Sequence, residues 1–318
     1  MKKNGMLALL GALGAALAAP LLAEKLLELK IKRSDRQPGG RFFTSDLGDV
    51  HFWEEGHGRP LLLLHSPGPG ASHLLWEKNM RELGKHFHVY ALDLPGFGWS
   101  DKPKITYTAY TYARMLTHFV REAVGRPVAV AAQGDAAAAA VLASSMEPAL
   151  FRRLVLVNPI GVPVVDAATG ETGNGTPPAG CPGKRLLETP NFGQWAYLHA
   201  SSREFLRRMV AENVADPRRL GERETMARYI PAHLGGAGNR YALASWAART
   251  TTMDVRKQLA ELKIPVYGLF GEGMEEAIAA FRQVRPRAEV LIFENTRQWP
   301  QLENPRAFNR ELEEILKG

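Results

Sequence analysis

PVAVAAQGDAAAAA, residues 127–140, is the stretch on which the fold turns. Residues 127–132 read as a buried strand, Gln133, Gly134 and Asp135 as a sharp turn, and 136–140 as the opening of a helix. A strand delivered through a tight turn into a helix is the arrangement that lifts a reactive side chain above a parallel sheet. At its tip stands Gly134, which has no side chain to react.

Outward from that turn, short apolar runs recur at 61–64, 88–92, 154–157, 266–270 and 290–293, separated by segments of helical character. Alternation of this kind implies a mostly parallel sheet covered by helices on both faces. Residues 41–53 alternate polar with apolar and are expected to form an antiparallel hairpin turning at Asp49. Between Gly161 and Leu262 the alternation stops, and a helical lid is expected there, with 203–213 and 241–250 as its clearest helices. The resulting organisation is an N-terminal anchor and stalk over 1–36, a core in two parts over 37–160 and 263–318, and the lid over 161–262.

A chain of 318 residues with 45% hydrophobic content can bury a substantial core. Its lone Cys181 excludes an internal disulfide and, between Gly180 and Pro182, reads as a loop residue. A net charge of +7 raises the question of nucleic acid, but the arginine pairs at 207–208 and 218–219 are interleaved with acids and sit in no nucleic-acid motif, so a solvated helix face is expected. His73, His86, His88, His118, His199 and His233 show no metal-ligand spacing, and neither metal nor cofactor is expected.

Residues 5–23 carry no charge and are long enough to cross a bilayer as a helix, behind Lys2 and Lys3. The continuing helical spacing of Leu26, Leu27, Leu29 and Ile31 favours an uncut membrane anchor with an amphipathic stalk over a signal peptide cleaved near Ala18. The basic residues from Lys25 to Arg41 lean towards a cytoplasmic body.

The runs LLLLHSPGPG at 61–70, ALDLPGFGWSDKP at 91–103, RLVLVNPIG at 153–161 and PQLENPRAF at 300–308, in this order, resemble the α/β hydrolase superfamily, in its cap-bearing branch of haloalkane dehalogenases, epoxide hydrolases and carbon-carbon hydrolases. The resemblance covers residues 41–318 and implies a nucleophile, an acid and a histidine in that chain order. Register against it places Gly134 at the nucleophile, Met274 at the acid and Gln298 at the histidine. None of the three can do the work; glutamine, for one, is no base near neutral pH. The same resemblance puts the oxyanion donors at Pro67, which follows His65 and Ser66 and has no N–H, and at Asp135.

Glycine at the elbow also has a physical logic, since it takes a sparsely populated backbone conformation without the cost of about 1 to 3 kcal/mol that another residue bears. Two fallback residues stand beside it. Asp135 lies two places after Gln133, and the resembling dehalogenases use an aspartate on the elbow; the plainer reading is an acid complementing a helix dipole. His65 ends a buried strand, where a hydrogen-bonded structural role is the default. The expectation is therefore a membrane-anchored hydrolase-fold protein without the triad, binding a small apolar ligand under the lid or a membrane-protein partner. The alternative is a hydrolase or lyase of small organic substrates with a non-standard site around Asp135 and His65.

Overall fold

The computed structural model describes residues 39–163, 182–190, 192–219 and 222–318, together with Leu22, Leu26 and Leu29, which are helical and exposed. Eight strands form one sheet: β1 Arg41–Ser45, β2 Gly48–Glu55, β3 Arg59–Leu64, β4 Phe87–Leu92, β5 Val128–Gln133, β6 Phe151–Val157, β7 Val266–Gly271 and β8 Val290–Phe293. Their spatial order is β1-β2-β4-β3-β5-β6-β7-β8, with β1 and β2 antiparallel to their neighbours and the rest parallel.

The interior strands are apolar because both faces are covered. In β3 the four leucines 61–64 are fully buried, Leu62 and Leu64 on the face that holds Phe119 and Ala139, Leu61 and Leu63 on the face that holds Trp76 and Phe308. At about 1.5 to 3 kcal/mol for each leucine removed from water, this one strand is a large contribution to the core.

The hairpin turns earlier than its pattern suggests. Asp49 is already paired with Thr44, and the reversal occupies Asp46 and Leu47, because Gly48 supplies the left-handed φ of +96° and Ser45 Oγ accepts the Leu47 N–H. A side chain at 48 would meet the Asp101 carboxylate, which instead accepts the Asp49 N–H at 2.9 Å.

Helices α1 Glu77–Leu83, α2 Ala109–Phe119 and α3 Ala136–Met146 flank the sheet. Residues 136–140 of α3 are at most 1% exposed, so their small side chains let this helix lie close against the strands. The segment after β6 carries α4 Pro182–Glu188, α5 Phe192–Ala200, α6 Arg203–Asn213, α7 Glu222–Ala232 and α8 Asn239–Ala247, and α9 Arg256–Glu261 follows. Val255 and Leu259 join the core that α3 faces, so α9 packs with the body. The second expected lid helix is α8, two residues earlier at its start and stopped before Arg249, whose φ of +56° breaks the helical path. Helices α10 Glu275–Val284, α11 Pro300–Glu303 and α12 Pro305–Lys317 complete the chain.

Residues 5–23, expected as a membrane anchor, lie outside the described residues except for Leu22, as does Cys181. Among the described residues no helix is long and apolar enough to cross a membrane. The arginines 207, 208 and 218 are exposed and paired with Glu204 or Asp216.

Candidate functional site

The turn from β5 into α3 holds Gly134 at φ +57°, in the left-handed region that a β-carbon makes costly. Its position is fixed on both sides. The Gly134 N–H donates to Val157 O at 3.0 Å, and its carbonyl accepts from Ile160 and Ala137, both at 3.1 Å. A β-carbon at 134 would come within 2.7 Å of Ser66 Oγ, so the space above the turn that a side chain would enter is taken by Ser66.

Ser66 follows β3 beside His65 and Pro67. Its hydroxyl accepts the Asp135 N–H at 3.1 Å, and its own N–H lies 3.3 Å from Gln133 Oε1. Of the two oxyanion donors implied by the resemblance, Pro67 has none to give and Asp135 N–H is already bonded to a hydroxyl.

Asp135 precedes α3 but makes no side-chain cap bond to it. Asp135 is only 5% exposed, and its carboxylate lies near the Trp246 indole and the Ser66 hydroxyl, both of which favour its charged form. Burial raises its pKa to about 6, outweighing the nearby Arg249 charge and the two polar neighbours.

His65 is fully committed to the surrounding loops. Nδ1 donates to Ser66 O and Nε2 accepts the Leu94 N–H, both at 3.0 Å, which fixes the neutral tautomer. Burial lowers it to about 4, against the pull of Asp93 and the Ser66 carbonyl, so it is no base for chemistry at neutral pH.

Gln298 reaches the crest of the sheet and lines the cavity, its carbonyl accepting from Asn158 Nδ2 at 3.0 Å. Asn158, at the end of β6 with φ +42°, also donates to Arg297 O and accepts from Gly271, tying β6, β7 and the loop before α11 together. Met274 is not brought to the cavity: it precedes α10 and packs against the core. The acidic neighbour Glu272 is exposed and accepts the Asn295 N–H.

A cavity of about 320 Å³ opens between this crest and the lid, lined by Ser66, Gln133, Asp135, Trp246, Gln298 and Trp299 among others. One of its walls comes from α7, a helix that the sequence pattern did not single out. From α7, Arg228 lays its guanidinium over the Trp299 ring at 4.2 Å. It makes no hydrogen bond or ion pair among the described residues, and burial alone lowers it to about 10. Its charge is felt at His65, which places it over the same crest. No sequence signal marked Arg228, one arginine in a helix whose other arginine, Arg223, pairs with Glu77.

One cluster contains metal-binding residue types. His51, His73 and Asp93 are buried, with ligand atoms within 4.8 Å of one another. His51 does not figure among the six histidines surveyed in the sequence, and its contact with His73 is long-range, invisible to local spacing. The arrangement is accounted for by hydrogen bonds: Asp93 accepts from His51 Nδ1 at 2.8 Å, His73 Nδ1 at 3.0 Å, His73 N at 2.6 Å and Trp99 N at 2.9 Å. Burial pushes the Asp93 carboxyl up, but His73 and His51 more than offset it and hold it well below the usual range.

A family model described as "Alpha/beta hydrolase family" matches residues 61–311. The chain is 26% identical over 278 residues to the 2-hydroxymuconate semialdehyde hydrolase of Pseudomonas putida, covering 83% of this chain and 89% of that protein. It is 35% identical over 82 residues to a 2-hydroxy-6-oxo-6-(2'-aminophenyl)hexa-2,4-dienoic acid hydrolase of Metapseudomonas resinovorans, a match spanning 26% of this chain and only 28% of that protein's length. Among solved structures, a serine hydrolase involved in carbazole degradation superposes with a TM-score of 0.70 at 19% identity, over 87% of this chain and 98% of that one. A membrane phospholipase A does so at 0.68 and 21% identity, over 100% and 99%. The family model spans both halves of the core and the strand order agrees with it, so this chain belongs to the alpha/beta hydrolase family.

Proposed function

We propose that the cavity under the lid receives a small organic anion, largely apolar and carrying a carboxylate or similar group, and that the chain acts on such molecules through a site centred on Asp135, without an elbow nucleophile or a histidine base. The observation that carries this reading is Arg228: a half-buried guanidinium, stacked on Trp299 and unpaired among the described residues, in the wall of a cavity above the crest. A cation partly withdrawn from water and facing no carboxylate is a ready partner for an anion that enters the cavity. The apolar ligand expected from sequence is thereby revised to an amphipathic one.

The relatives are hydrolases of small organic molecules, two of them named for oxo-dienoic acid or muconate semialdehyde substrates, and this favours the enzyme alternative over a purely binding role. Within that alternative, Asp135 keeps its place, while His65, with both ring nitrogens engaged, is a support for the loop. Attachment to a membrane through residues 5–23 remains part of the proposal on the strength of their uncharged composition.

Titration calorimetry on the full chain in mild detergent tests the pocket, comparing 4-phenylbutyrate with its neutral amide. A charge-assisted hydrogen bond contributes about 1.5 to 3 kcal/mol, so the acid should bind at least about tenfold more tightly, and Arg228→Gln should erase the difference. Equal affinity of acid and amide for the wild type would rule out the anion site.

A further inference from the structure

Gly134 leaves the crest without the expected reacting atom, yet a hydroxyl occupies the vacated space. Ser66 Oγ lies within 2.7 Å of where a β-carbon at 134 would stand, and Ser66 is partly exposed at the cavity wall. The hydroxyl accepts the Asp135 N–H at 3.1 Å, and the Asp135 carboxylate lies near enough for Ser66 to favour its charged form. Its remaining contact is a long one, 3.3 Å to Pro67 O. A serine oxygen beside a carboxylate that can take its proton has the base a nucleophile needs.

We infer that Ser66 is the nucleophile and Asp135 its general base, a pair that cleaves esters whose acyl part carries a second, free carboxylate. The inference rests on the anion-binding reading of the cavity, because Arg228 is what would hold that free carboxylate while the ester carbonyl faces Ser66.

In the first step Ser66 Oγ bonds to the acyl carbon, the carbonyl electron pair moves onto its oxygen, and the serine proton passes to the Asp135 carboxylate. Collapse breaks the bond to the alcohol oxygen, which leaves with the proton from Asp135. Water then attacks the acyl group on Ser66 and gives a proton to Asp135, which returns it to the departing serine oxygen. The sum is ester plus water to acid plus alcohol, with both residues restored. Burial, which raises Asp135 to about 6, makes it a stronger base than an ordinary carboxylate while leaving it ionised above neutrality.

The test uses the full chain in detergent with a fluorophosphonate probe and mass mapping of the adduct, which needs no variant. Beside it, release of nitrophenol from mono-4-nitrophenyl glutarate is compared with 4-nitrophenyl butyrate, and binding of glutaranilic acid, the uncleavable amide analogue, is measured by calorimetry. The expected result is an adduct on Ser66, a preference of at least about tenfold for the glutarate ester, and a rate that rises through an apparent pKa near 6. Ser66→Ala and Asp135→Asn should each lower turnover at least about 100-fold and still bind glutaranilic acid within about threefold of wild type. An unlabelled Ser66, or turnover that survives Ser66→Ala, overturns the inference while intact glutaranilic acid binding leaves the pocket reading standing. Failure of the wild type to bind glutaranilic acid removes the pocket reading itself.

Discussion

At the scale of single residues, His65 and Asp135 are two buried titratable groups of the crest with opposite effects on stability. Asp135 moves up from 3.8 to about 6 on folding, so above pH 6 the folded protein carries the full cost of a buried charge, and this cost disappears as pH falls through 6 towards 4. His65 moves down from 6.5 to about 4, so its cost is absent above pH 6.5 and grows as pH falls towards 4. Each shift is a little over two units, or about 3 kcal/mol at most. Over the pH 4 to 6.5 window the two nearly cancel in the wild type. Asp135→Asn should uncover the histidine, giving a protein more stable than wild type at pH 8 and losing that advantage as pH drops to 4. Thermal melts across the range decide it: a constant difference between variant and wild type would show that Asp135 is not the titrating group. Asp135 could be singled out from its place after Gln133, but its orientation could not, because the Trp246 indole that receives it comes from α8, more than a hundred residues away in the chain.

At the scale of the element, the β5–α3 elbow and the loop after β3 have been fitted to one another. The absence of a nucleophile was legible in the strand-turn-helix pattern around Gly134, and the missing Pro67 N–H in the loop was legible from residue type alone. What filled the space was not, since Ser66 and Gly134 meet only because β3 and β5 are neighbours in the sheet. The consequence is a coupling that a double-mutant cycle reads. Gly134→Ala meets a φ of +57°, worth about 1 to 2 kcal/mol of strain, and also crowds Ser66 Oγ at 2.7 Å. Ser66→Gly relieves the crowding and leaves the strain. The double variant should therefore be less destabilised than the sum of the singles by about 1 kcal/mol in urea unfolding. Additive losses would mean that Ser66 does not occupy the elbow space. By the same argument Gly134→Ser alone should add no hydrolysis through the elbow to that of the wild type, because Gln298 stands at the crest and Met274 is packed in the core.

At the scale of the whole molecule, the parallel sheet and its two covered faces were open to view in the apolar runs, because burial on both sides leaves a strand no choice but continuous hydrophobicity. The distribution of charge was not, since a net +7 says nothing about where cations stand unopposed. Several exposed arginines have carboxylate partners, as in Arg121 with Glu147 and Arg203 with Glu222. At the foot of the sheet, away from the cavity, Arg59, Arg126, Arg152 and Arg153 instead donate to backbone carbonyls, of Lys317, Gly58, Pro127 and Ile315 respectively. The Arg152 guanidinium is lowered by burial and then by the like charges of Arg59, Arg153 and Arg126, which is mutual repulsion built into the starts of β3, β5 and β6. Exposed charge interactions are individually small, about 0.2 to 1 kcal/mol, and are screened over a Debye length of about 10 Å at 0.1 M salt. Arg152→Gln should accordingly leave stability unchanged or raise it by up to about 1 kcal/mol in 20 mM sodium chloride, and the gain should vanish by 0.5 M, where the wild type has been stabilised by screening. Calorimetric melts of both proteins at the two salt concentrations measure this directly. A loss of stability of the same size at both would mean that the hydrogen bond to Pro127 O, 3.2 Å long, outweighs the repulsion, and that the crowding of cations at the foot of the sheet carries no energetic cost.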